Sequence, residues 1–177
     1  MNNTKLENNI MDMMEEQQLK LGYMKETTRL YYPLSSLNRF LETEYTAEEM
    51  LQNMQEFCQT VETRLGDVEI SRKGERFCIL IPPEGAEYVH LCGVSNVFLA
   101  ELIEMVRKHD TTIEEVLALF SKYSSRVVKE KANHGEFDYL VYFEDGKPDA
   151  YYYCIAKEGP HVTYHRYTKE DYEDFGF

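Results

Sequence analysis

Glu136-Phe-Asp-Tyr-Leu-Val-Tyr-Phe-Glu144, Asp149-Ala-Tyr-Tyr-Tyr-Cys-Ile-Ala156 and His161-Val-Thr-Tyr-His-Arg-Tyr167 are three β-favouring runs inside one stretch, Arg126 to Tyr167. That stretch carries seven of the fourteen tyrosines. Asp145-Gly146 separates the first two runs, and glycine accepts the positive φ that a tight hairpin turn demands. Glu158-Gly159-Pro160 separates the second pair. The stretch therefore reads as an antiparallel meander, and the rest of the chain is helical patterning around it.

Working back towards the N-terminus, Thr4-Lys-Leu-Glu7 has the form of a capping box, followed by Leu6, Ile10, Met13, Met14 and Leu21 at helical spacing. Lys25 to Tyr32 fits either a continued helix or an extended segment. Pro33 then suits a first helical turn, with Leu34, Leu37, Phe40 and Leu41 behind it. Thr46-Ala-Glu-Glu49 opens the clearest helix, with Met50, Met54, Phe57, Val61 and Leu65 inward and Gly66 at its end. Val68 to Arg72 and Arg76 to Ile81 read as a hairpin whose second strand, apolar from Phe77 to Ile81, is expected to be buried on both faces. Ser95 to His109 is another helix, and Thr112-Ile-Glu-Glu115 caps one more that runs to about Tyr123. Phe77, Ile79, Ile81, Leu102, Val106, Leu117 and Phe120 are expected to share one core.

This order is not the alternation of a parallel sheet. It predicts a single α+β domain over residues 1–177, a mostly antiparallel sheet (early hairpin plus C-terminal meander) packed with four to five helices. Whether the two β segments join is left open by the pattern.

Glu15-Glu-Gln-Gln-Leu-Lys-Leu-Gly-Tyr-Met-Lys-Glu-Thr-Thr-Arg-Leu-Tyr-Tyr-Pro-Leu-Ser-Ser-Leu-Asn38 and Gly74-Glu-Arg-Phe-Cys-Ile-Leu-Ile-Pro-Pro-Glu-Gly-Ala-Glu-Tyr-Val89 resemble an uncharacterised family of small bacterial proteins. The resemblance implies no activity and carries no site residues.

The formal net charge of −13 is spread along the chain. It disfavours nucleic acid and anionic membrane surfaces, both of which need a basic patch. No apolar run approaches the ~20 residues of a membrane span, and no export signal opens the chain. Cys58, Cys78, Cys92 and Cys154 form no CxxC, which fits four free thiols in a cytoplasmic protein. No cofactor is expected, because phosphate-binding glycine motifs are absent.

The sharpest chemical pattern is His161-Val-Thr-Tyr-His165. It resembles the His-x-Thr signature of two-histidine phosphoesterases, but that family needs a second copy. His109-Asp-Thr111 matches the letters at a helix end, the wrong context. As metal ligands, His161 and His165 would lie about 13 Å apart along a strand, too far to share an ion. His134 and Glu136 add a ligand only through long-range geometry. With a tight Asp145-Gly146 turn, Asp138 and Asp149 would share one sheet face, an acidic solvated one, opposite Phe137, Tyr139, Val141 and Phe143. Tyr142, Tyr151, Tyr153 and Tyr164 would then form an aromatic face too apolar to be left wet, and so an interaction surface. The expectation is a non-catalytic binding or protein-interaction module, with a protein partner or a homodimer on those tyrosines. The alternative is a small hydrolase or metal-dependent enzyme centred on His161, Thr163 and His165. An acidic inhibitor or immunity-like protein also suits the charge.

Overall fold

The computed structural model describes residues 2–132 and 135–175. The chain divides into two compact units, Met1–Ser95 and Asn96–Phe177. The fold is α+β, with two separate antiparallel sheets, one in each unit.

The first unit runs α1 (Asn3–Leu21), β1 (Thr28–Pro33), α2 (Leu34–Leu41), α3 (Ala47–Leu65), β2 (Glu69–Lys73), β3 (Arg76–Ile81) and α4 (Pro83–Cys92). The expected capping box of α3 is formed: Thr46 Oγ1 accepts from the Glu49 amide, and Glu49 Oε2 accepts from the Thr46 amide at 2.8 Å. Met50, Met54, Phe57, Val61 and Leu65 are all fully buried, as their spacing predicts. At α1 the cap is Asn2 rather than Thr4, and Glu7 instead holds Arg64 of α3 through both carboxylate oxygens. Leu6, Ile10 and Met14 face inward, while Leu21 is exposed at the C-terminal end of the helix.

The stretch 84–94, which the sequence pattern leaves unassigned, supplies most of α4 (Pro83–Cys92). Gly85 lets that helix touch the end of α3: a Cβ there would overlap the Ile81 side chain and lie 2.6 Å from the Leu65 carbonyl oxygen. The ambiguous segment before Pro33 resolves as a strand, so the early hairpin gains a third member in the order β1-β3-β2. β3 is central, but it is buried on one face only. Phe77, Ile79 and Ile81 enter the core, and Arg76, Cys78 and Leu80 alternate outward.

The second unit runs α5 (Val97–Val106), α6 (Ile113–Tyr123), β4 (Val127–Lys131), β5 (Tyr139–Phe143), β6 (Tyr152–Glu158), β7 (His161–Tyr167) and α7 (Lys169–Asp174). The meander has four strands in sequential order, one more than the β-favouring runs suggested. Thr112 and Glu115 cap α6 reciprocally. The two-residue turn at Gly159-Pro160 sets Glu158 opposite His161 and Tyr152 opposite Tyr167.

The Asp145-Gly146 turn does not set the register of β5 and β6. Gly146 closes a turn onto Phe143, but the ladder pairs Tyr139 with Ile155 and Val141 with Tyr153. Pro148 has no N–H to give a ladder, so residues 147–151 stay outside it. The shift is odd, and it exchanges the faces of β6 and β7 relative to β5. Val141, Phe143, Tyr153, Ile155, Val162 and Tyr164 now lie together and buried, with Phe98 of α5 and Phe120 of α6 against Phe143 and Tyr153. Phe137 leaves that set and packs with Leu140, Cys154 and Ala156 on the other face.

The expected single core is two. Phe77, Ile79 and Ile81 belong to the first unit's core, and Leu102 and Phe120 are buried in the second unit. On α6 the inward residue is Leu119; Leu117 and, on α5, Val106 are half-buried.

Candidate binding surfaces

β7 places His161, Thr163 and His165 on one face, at successive alternate positions. Their side chains do not converge. His161 packs against His109 of the α5–α6 connection with ring centroids 4.4 Å apart, while His165 is exposed beside Phe137. Thr163 donates to Glu158, and Thr111 donates to the Met105 and Lys108 carbonyls at the end of α5. The two His-x-Thr segments thus meet at their histidines, but each threonine hydroxyl is committed elsewhere. Lys157, the nearby cation, donates to the Thr111 and Pro160 carbonyls. Among the described residues no three His, Cys, Asp or Glu side chains gather as metal ligands. His134, the proposed extra ligand, lies outside the described residues.

Asp138 and Asp149 do not share a face. Asp138 accepts from the Lys157 amide at the sheet margin. Asp149 is buried in the β5–β6 connection and is the centre of a network. It accepts from Asn96, the Tyr153 hydroxyl (2.8 Å), Arg166 (3.0 Å) and the Tyr151 amide (2.8 Å). The Arg166 guanidinium in turn lies 3.8 Å from the centre of the Tyr151 ring. These contacts fasten the start of α5, the connection and β7 together.

The tyrosines expected at an interface are redistributed by the register. Tyr153 and Tyr164 are covered by the protein's own helices, which removes them from any surface, and Tyr151 is stacked by Arg166. Tyr142 stays on the outer face, half-buried and stacked on Tyr152 at 4.2 Å. α7 crosses that face in part, bringing Tyr172 to Tyr152 and Phe175 to Tyr167. Desolvation raises the hydroxyl pKa of Tyr142, Tyr152, Tyr167 and Tyr172 above the ordinary tyrosine value.

The same face seals Cys154, whose thiol is pushed up to about 11 by burial. Thiolate is the reactive form, and a pKa raised in the fold keeps Cys154 protonated until strongly alkaline pH. Alkylation of the native protein near neutral pH should therefore modify exposed Cys92 first and Cys154 last. Denatured protein should give four thiols, and Cys154 labelling as fast as Cys92 in the native state would contradict its burial.

A surface that the sequence pattern did not single out lies in the first unit. The outer face of its sheet has three rows: Pro33, Arg76 and Lys73; Tyr31, Cys78 and Ser71; Arg29, Leu80 and Glu69. Lys73 is directly opposite Arg76, two cations facing each other across a ladder, an arrangement that is destabilising by itself. Arg29, Lys73 and Arg76 form no ion pair among the described residues, although acidic side chains are in large excess in the chain. Tyr31 is 56% exposed, with the Arg76 guanidinium 5.0 Å from its ring centre. Tyr31, Ser71, Arg72, Lys73, Arg76 and Cys78 line a shallow groove of about 500 Å³. Arg72 points to the other side, where Glu48 holds it at 2.6 Å. Two cations without an ion pair among the described residues, a hydroxyl and a half-exposed aromatic ring with one face towards Arg76 can together hold an anion and a flat group beside it.

The profile of a family described as "Domain of unknown function, E. rectale Gene description (DUF3877)" matches residues 3–176. The chain belongs to this family. DUF3877 is thus the uncharacterised bacterial family that the two quoted segments resemble. No curated protein and no solved structure matches the chain. Among the described residues no single helix of this DUF3877 member is long and apolar enough to cross a membrane.

Proposed function

We propose that this protein is a non-catalytic binding module that receives an anionic group on the outer face of its N-terminal sheet. The observation that carries the reading is the cross-strand pair Lys73 and Arg76, without acidic partners among the described residues, in a chain of charge −13. A bound anion would offset their mutual repulsion, and the Arg fork with the Lys point charge suits a tetrahedral oxyanion. The reading also accords with a cytoplasmic protein, since its four cysteines are unpaired. Titration of the wild type with inorganic pyrophosphate should shift the amide resonances of Tyr31, Ser71, Lys73 and Arg76. The Lys73→Glu/Arg76→Glu double variant should weaken that binding tenfold or more, and added salt should weaken it in the wild type. An absence of localised shifts at millimolar pyrophosphate would sink the reading.

A second reading keeps the C-terminal sheet as a contact surface with a protein partner, the simplest being another copy of the chain. It is favoured by the half-exposed Tyr142–Tyr152 stack and by Phe175, 58% exposed against Tyr167. Tyrosine suits such a place because its ring can be dry while its hydroxyl stays wet. Sedimentation should show a dimer that Tyr142→Ser/Tyr152→Ser dissociates; a wild type monomeric at high micromolar concentration removes the homodimer.

A further inference from the structure

We infer that the anion received by the N-terminal sheet is the phosphate of a nucleoside phosphate, whose base stacks on Tyr31. The inference rests on the anion-binding reading and adds the class of ligand. Arg76 and Tyr31 are diagonal neighbours on adjacent strands, with their Cα atoms roughly 7–8 Å apart. That spans about one nucleotide from phosphate to base. The Arg76 guanidinium lies over one face of the Tyr31 ring on β1, and Lys73 is its register partner on β2, so Arg76 stands between the ring and the second charge. A flat aromatic group stacks on tyrosine without regard to its own hydrogen-bonding pattern. Ser71 and Cys78 lie in the row of Tyr31, where small side chains leave the ring accessible, and Ser71 offers a hydroxyl to a ribose or phosphate oxygen. The extent of the patch favours a compact ligand. Beyond Arg29 and Leu80 the third row ends in Glu69, and the chain as a whole is strongly acidic, so a long polyanion would meet repulsion past the first few charges.

Calorimetric titration of the intact protein with adenosine diphosphate, ribose 5-phosphate, inorganic pyrophosphate and adenosine separates the parts. Adenosine diphosphate should bind at least tenfold more tightly than inorganic pyrophosphate. Tyr31→Ala should erase that advantage and leave pyrophosphate binding unchanged, while Tyr31→Phe keeps the advantage. Lys73→Glu/Arg76→Glu should abolish binding of all three anions. Tyr31, Lys73 and Arg76 are exposed, and an unchanged circular dichroism melt confirms that each variant is folded. Equal affinity for adenosine diphosphate and pyrophosphate overturns the nucleoside assignment and leaves the anion site standing. Adenosine binding that ignores the charge reversal overturns both. Self-association of the wild type that the charge reversal dissolves would assign the face to an acidic surface of a second copy and overturn the small-ligand proposal.

Discussion

Asp149→Ala is expected to destabilise the C-terminal unit by about 3–5 kcal/mol, because it strands the Arg166 charge in the interior. The side chains of Asp149 and Arg166 are 1% and 3% exposed, so water cannot replace the lost carboxylate. The same substitution leaves the Tyr153 hydroxyl and the Asn96 amide without their acceptor. Urea denaturation followed by tyrosine fluorescence measures the loss, and a decrease below about 1 kcal/mol would mean that the network is hydrated in solution. A combined Asp149→Leu/Arg166→Met variant should recover much of the stability, since removing both charges removes the desolvation cost with the attraction. Its recovery would assign the pair to specifying the β5–β6 connection rather than to net stability.

Phe98→Ala should cost a comparable amount, about 3–5 kcal/mol. Phe98 is 1% exposed, and its ring meets Phe120, Tyr123, Phe143 and Tyr153 edge-on, so its removal opens a void bounded by rigid rings that cannot close over it. Leu117→Ala, by contrast, should cost only a fraction of that, since Leu117 lies at the rim of α6 and Leu119 fills the inward position. Equal losses at Phe98 and Leu117 in chemical denaturation would refute this placement of α6.

Local signals were legible. The reciprocal caps at Thr46–Glu49 and Thr112–Glu115, the inward stripe of α3, the hairpin of β2 and β3 and the Gly159-Pro160 turn were all readable, because each is decided within a few residues. What escaped depended on pairing at a distance. Pro148 carries the signal that the first turn of the meander is long; a tight turn in its place puts Asp149 on an open face and Tyr153 on an interaction surface. β4 is hidden in the sequence because Lys129, Glu130 and Lys131 mask its alternation, and only Val127 and Val128 are β-branched. The basic face of the first unit needed the parity of three strands at once, one of which, Thr28–Pro33, was ambiguous alone. Arg29 and Tyr31 at alternate positions, matched by Arg76 and Cys78, were the available clue.

The charges of β4 also bear on how the protein stays apart from its neighbours in a crowded cell. An outermost strand offers a free row of backbone donors and acceptors, a template on which another chain can grow a cross-β ribbon. Here that border ends in Lys129, Glu130 and Lys131, which follow the two valines and pair with β5 as they do. Any strand adding there would have to strip water from three ionised side chains in succession. The same residues that obscure the strand in the sequence thus act as gatekeepers for solubility at the open margin of a tyrosine-rich sheet.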